Sequence, residues 1–246
     1  MSFNSLSKFI ALYGIEKGKL DQKLAEIIIE DFTEKDPDHP DIVEKRKNKK
    51  RRRFQERGEL GFGYFRNEFK RLNFAVISNE EDALFYGASP FNYDGDLDFY
   101  MVWLNTTWDD YPGLKVAQPF VEFNIKLARY LQPEFAWGDS PKFVDGYIGR
   151  DPRESVFGLT IYGPDLVSII GNQNILELNE LEMWTAEEQE WGGIVVRYND
   201  NPFRPKAKDR KEATSKLDLK NRLKDNLKAP KPIPKKLKFN KDFWEE

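Results

Sequence analysis

Three aspartates on alternate residues, Asp94, Asp96 and Asp98, stand in the stretch FYGASPFNYDGDLDFYMVW (85–103), directly ahead of an apolar run. Residues two apart in an extended chain project to the same side. Asp96 and Asp98 could therefore share one divalent cation through their oxygens. The competing interpretation is an acidic turn at a solvated strand entry, with Gly95 supplying the bend. The choice decides between an enzyme and a binding protein.

A Gly-Ser turn followed by Asp-apolar-Asp-apolar resembles the nucleotidyltransferase motif, in which two carboxylates hold magnesium for phosphoryl transfer. Here the matching residues are Gly87, Ser89, Asp96 and Asp98. Six residues, Pro90 to Gly95, separate the serine from the first aspartate, which leaves no room for the helical turns that family places there. A calcium loop fits no better, since the twelfth position from Asp94 is Asn105 rather than a glutamate. YDGD is therefore expected to be a turn, with a partner-binding acidic edge as the second reading and a metal site as the third.

Other chemistry is sparse. The chain has no cysteine, which excludes disulfides, thiolate nucleophiles and cysteine-ligated zinc. Its one histidine, His39, lies in PDHPD beside a basic run, so a two-histidine metal site is excluded. GELGFGYF (58–65) lacks the Lys-Ser/Thr pair of a phosphate loop. Glu187, Glu188 and Glu190 in TAEEQEW read as a polar turn between strands. No catalytic residue, cofactor or metal is expected.

The elements that must carry these residues fall into charge blocks. Across the 246 residues the net charge is −3, yet residues 58–202 hold 24 acidic and 10 basic residues, a balance of −14. Residues 203–246 hold 15 basic and 7 acidic, a balance of +8. EKRKNKKRRRFQER, from Glu44, is a further basic run of the kind that forms solvated arms. The division expected is an N-terminal helical segment (1–35), a basic linker (36–57), an acidic α+β domain (58–202) and a basic Lys/Pro-rich tail (203–246).

Leu20, Leu24, Ile27, Ile28 and Phe32 recur at helical spacing and predict an amphipathic helix. Leu72, Phe74 and Val76 alternate as in a half-buried strand, and Leu97–Leu104 is apolar on both parities, as in a strand covered on both faces. FVEFNIKLARYL (120–131) is helical in pattern and stopped by Pro133. FGLTIYG and GGIVVRY predict a strand pair. Between them PDLVSIIGNQNILELN predicts two short helical turns, started by Pro164 and stopped by Gly171. A basic helix is expected within 212–227, with Leu217, Leu219, Leu223 and Leu227 partly on one side. The fold class is α+β, with a mixed, largely antiparallel sheet and packed helices, an N-terminal helix and basic flexible arms. The N-terminus has no basic region followed by an unbroken apolar run. No apolar stretch approaches the ~20 residues that span a bilayer, so a cytoplasmic location and no membrane are expected.

FGLTIYGPDLVSIIGNQNILELN followed by WGGIVVRYNDNPF resembles bacterial immunity proteins of type VI and polymorphic-toxin systems. The matching positions are Gly163, Pro164, Leu166, Val167, Ile170, Gly171, Gly192, Gly193, Asn201 and Pro202. LQPEFAWGD, from Leu131, is similar to the stretch after their long helix. The resemblance covers roughly 97–203 and implies a protein that occludes a toxin and transforms nothing. A negative globule would steer towards a basic toxin. Acids beside aromatics are the expected docking residues: Asp94, Asp96, Asp98, Trp108, Asp109, Asp110, Trp137, Asp139, Glu190 and Trp191. The basic block and Lys-rich tail depart from the family. They suggest a nucleic-acid accessory role, with Lys49, Lys50, Arg51, Arg52 and Arg53 neutralising phosphates. A third reading is that the arms fold back on the acidic body as an electrostatic clamp.

Overall fold

SKFIALYGIE carries apolar side chains on both parities, the mark of a strand buried on both faces. In the computed structural model this stretch, β1 (Ser7–Glu16), is the middle of the sheet, with Phe9, Ala11, Leu12, Tyr13 and Ile15 all buried. The structure describes residues 7–16, 19, 61–66, 72–78, 84–91, 97–106, 114–140, 143, 151–199 and 201–224. The other strands are β2 (Gly61–Arg66), β3 (Leu72–Ser78), β4 (Leu84–Phe91), β5 (Leu97–Thr106), β6 (Phe135–Asp139), β7 (Leu159–Tyr162), β8 (Trp184–Glu188) and β9 (Ile194–Tyr198). They form one sheet of nine described strands in the order β2-β3-β4-β5-β1-β6-β7-β9-β8, every neighbouring pair antiparallel.

The helices are α1 (Leu114–Leu131), α2 (Pro164–Ile170), α3 (Asn172–Leu176), α4 (Ala207–Leu217) and α5 (Leu219–Lys224). They cover opposite faces of the sheet. On one face, Tyr13 of β1 donates its hydroxyl to Asn124 Oδ1 of α1 at 2.5 Å, both residues fully buried. Val121, Leu127, Ala128 and Leu131 bury the rest of that helix stripe, each large side chain contributing roughly 1.5–3 kcal/mol. On the other face Leu12, Phe135, Trp137, Tyr162, Val196 and Tyr198 form a core with Leu166, Ile170, Ile175, Ala213, Leu217, Leu219 and Leu223 of the shorter helices.

The fold is α+β, as expected. The strand expected around Leu72–Val76 is β3, the one at Leu97–Leu104 is β5, and FGLTIYG and GGIVVRY supply the directly paired β7 and β9. Pro164 opens α2, and Gly171 closes it with φ of +94°, a backbone angle that side chains oppose. Two expectations are corrected. The segment 1–35 is not an appended helix, because Ser7–Glu16 completes the sheet; the helical pattern at Leu20–Phe32 lies outside the described residues. Nor is the chain beyond 202 a tail from its first residue, because α4 and α5 bury Arg210, Ala213, Leu217, Leu219 and Leu223.

Candidate partner-binding face

One end of the sheet gathers four connections. β1 ends there at Glu16, opposite Leu97 at the start of β5. The α1–β6 link, the β7–α2 turn and the β8–β9 turn meet the same end, since Gly14 pairs with Phe135, Phe135 with Tyr162, and Tyr162 with Ile194. Glu134 is the knot: its N–H donates to Gly14 O and its carbonyl accepts from Gly163 N, both at 2.9 Å. Gly163 is needed at this crossing, as a Cβ there would stand 2.6 Å from the Pro133 carbonyl oxygen. Gly192 of the β8–β9 turn has φ of +87° and lies against Pro164. The adjacent resemblance positions Gly163 and Pro164 thus meet Gly192, which lies far along the sequence, in one corner.

That corner is acidic. Glu16, Glu134, Asp165 and Glu190 are exposed. Partial burial pushes the Glu134 carboxyl above its ordinary value, and the like charges of Asp165 and Glu16 push it further; Lys19 and Arg153 oppose them. Lys19 pairs with Glu16 at 2.7 Å, and that hydrogen bond raises the lysine. Arg129 reaches Glu190 only at 3.7 Å, with both side chains largely exposed. An exposed pair of this kind contributes little. The chemistry on offer is recognition of positive charge: an incoming cation would offset the like charges that Asp165 and Glu16 set against Glu134.

The structure sorts the expected docking residues. Asp98 sits in β5 opposite Ile15, one position from the Glu16–Leu97 pair, which places it at this end of the sheet. Glu190 and Trp191 lie in the β8–β9 turn, with the half-buried Trp191 ring laid over Gly193. Glu187 and Glu188 belong to strand β8 rather than to the turn expected of them. Asp94, Asp96, Trp108, Asp109 and Asp110 lie outside the described residues, as do Lys49, Lys50, Arg51, Arg52 and Arg53. Among the described residues no group of three or more His, Cys, Asp or Glu side chains could hold a metal ion. No helix among them is long and apolar enough to cross a membrane.

Trp137 and Asp139 are corrected, because both are buried and neither can anchor a partner. Trp137 is 3% exposed and stacks on Phe135 with ring centroids 5.6 Å apart. Asp139 is 1% exposed and accepts from Ser140 N at 2.8 Å, from Gly158 N at 2.9 Å and from the Arg210 guanidinium. Arg210 lies over the Phe143 ring, 3.5 Å from its centroid. This pair joins β6 to α4, and it was illegible because the two residues are 71 positions apart. Glu16, Glu134 and Asp165 were missed for a similar reason: they are scattered acids until the sheet collects them.

No protein-family model and no curated protein matches the chain. Among solved structures, Pseudomonas aeruginosa T6SS protein PA0821 aligns with 96% of this chain and 80% of its own, at 13% identity and a TM-score of 0.44. A superposition at that score does not establish a common fold.

Proposed function

We propose that this chain is a non-catalytic protein-binding module of the immunity type, which neutralises a basic toxin by covering it with the acidic end of the sheet. One observation carries the proposal: Glu134 is crowded by Asp165 and Glu16 at the corner where Gly163, Pro164 and Gly192 converge. Those three positions belong to the sequence resemblance, so the likeness to immunity proteins and the charge coincide in space. Occlusion needs a rigid surface and complementary charge, not a reacting group. Glu134 is well suited to supply the rigidity, since its backbone ties β1 to the β7–α2 turn. Opposite charge on the partner would speed encounter and be sensitive to salt.

The test uses the full chain, because β1 and α4 lie outside the acidic block yet complete the fold. The chain serves as bait against secreted toxins encoded beside its own gene, and growth rescue on co-expression is scored. A basic protein should be captured and its toxicity suppressed. Glu134→Lys with Asp165→Lys should slow association about tenfold or more at low salt and abolish rescue, with an unchanged far-ultraviolet spectrum. Unchanged capture by the double reversal, or rescue of none of those toxins, refutes the proposal.

A further inference from the structure

β8 is the last strand of the sheet beside β9, and two backbone bonds fix which of its groups point away from that neighbour. Gln189 N–H donates to Gly193 O at 2.8 Å, and Asn199 N–H to Met183 O at 2.9 Å. In an antiparallel ladder the inward and outward groups alternate. Thr185 and Glu187 therefore bond towards β9, while the backbone groups of Trp184, Ala186 and Glu188 face the open side. A row of that kind is a template for another strand.

The chain fills this position itself. Asn179 Oδ1 accepts from Ala186 N at 2.8 Å, and Asn179 Nδ2 donates to Ala186 O at 3.0 Å. A side-chain amide here makes the reciprocal pair of bonds that a neighbouring peptide would make. Two residues earlier, Trp184 N–H is taken by Leu181 O at 2.9 Å. Asn179 sits in a 3₁₀ turn, Glu177–Glu180, whose Leu178 is fully buried in the core. Lys216 of α4 holds the same turn from outside, 2.8 Å from Glu180 and 3.9 Å from Glu177. The guard is thus anchored from two sides.

We infer that Asn179 is an edge guard that excludes a second copy of this chain from β8. The occupant it excludes is self, because β8 can pair antiparallel with its own copy about a two-fold axis through Ala186, closing both open edges at once. The amide is specific for the task. Aspartate would turn a negative charge on the Ala186 carbonyl, and alanine would leave both backbone groups free. Glu187 and Glu188 are exposed on the strand and add charge against pairing, although Glu187 is partly neutralised by Arg197 at 3.0 Å.

The test is Asn179→Ala in the full chain, at a salt concentration that screens Glu187 and Glu188. The Ala186 amide should exchange with deuterium about tenfold faster at low protein concentration, the factor set by losing one such bond. At high concentration the light-scattering mass should double and the amide should be protected again. Ala186→Pro in the Asn179→Ala background should restore the mass of the parent, because proline lacks the outward N–H and an edge strand tolerates it there. Asn179→Leu, similar in size but unable to bond, should associate as the alanine variant does and covers the case in which that variant misfolds. Failure of both Asn179 variants to gain mass, or a dimer that survives Ala186→Pro, overturns the inference.

Discussion

Removing the Asp139 carboxylate strands a charge inside the protein, and its cost follows from the contacts. Asp139→Ala deprives the buried Arg210 of its counter-ion and leaves the Gly158 and Ser140 N–H groups without their acceptor. Breaking a buried ion pair by deleting one partner costs about 3–5 kcal/mol. Arg210 keeps the Phe143 ring and a carbonyl, Pro205 O at 3.5 Å, which offsets part of that loss. The net expectation is about 4 kcal/mol, a large share of the roughly 5–15 kcal/mol that holds a domain folded. With a urea slope of about 2 kcal/mol per molar, the unfolding midpoint should fall by about 2 M. Asp139→Leu with Arg210→Met should recover most of this, since it removes both charges and keeps the volume. Arg210→Ala adds a pH signature. Burial already pushes the Asp139 carboxyl up, and Arg210 and the two N–H groups draw it back only in part. Without the arginine it climbs further, and the folded variant holds a proton that the unfolded chain has released. The stability of that variant is then full below the unfolded carboxyl value near 3.8 and falls as pH rises through the folded one. An Asp139→Ala midpoint within about 0.5 M of the parent, near 1 kcal/mol on the same slope, would refute the reasoning.

Burial pushes the hydroxyls of Tyr13 and Tyr162 well above their ordinary value of 10.0. The folded chain therefore keeps protons that the unfolded chain loses, so stability should be full below pH 10 and decline above it; absorbance near 295 nm should show two tyrosines ionising only with unfolding. Tyr13→Phe removes the donor to Asn124 Oδ1 inside the core and should cost about 1–3 kcal/mol by chemical denaturation, with little change in urea slope. Gly192→Ala should cost about 1–2 kcal/mol through its positive φ alone, because the new methyl would meet Pro164 at an ordinary 3.5 Å; calorimetry should show a drop of a few degrees, smaller for Gly192→Asn.

What was legible in the sequence was what is decided locally. Pro164 and Gly171 punctuate α2 because helix starts and stops depend on the conformation of one residue. β7 and β9 read as strands from their short apolar runs, and α1 from its 3.6-residue stripe. β1 carries the both-parity apolar pattern that marked β5, but the helical spacing of Leu20–Phe32 claimed the whole of 1–35. It is buried on both faces, so the period-two alternation that marks a half-exposed strand is absent. Its partners β5 and β6 begin at Leu97 and Phe135, far along the chain. The acidic end was unreadable for the same reason, since Glu16, Glu134 and Asp165 become neighbours only when antiparallel pairing returns β1, β6 and β7 to one edge.

The charge blocks misled in a more instructive way. A balance of −14 followed by +8 reads as two bodies only if every charge in both blocks is solvated. Asp139 and Arg210 belong to opposite blocks and neutralise each other inside one core. Lys216 and the acids Glu177 and Glu180 repeat the pattern at the surface, and the Lys216 hydrogen bond to Glu180 raises the lysine above its ordinary value. Arg222 donates to Ile170 O at 3.1 Å, closing the C-terminus of α2. The first part of the basic block is therefore folded against the acidic body, packed by Ala213, Leu217, Leu219 and Leu223 as well as by charge. Arg210 and Lys216 of this stretch are paired with acids, while Lys206, Lys208, Lys211, Lys220 and Lys224 are exposed. α4 and α5 make no described ion pair with Glu16, Glu134 or Asp165, so folding the two blocks together leaves the acidic corner of the sheet un-neutralised by them.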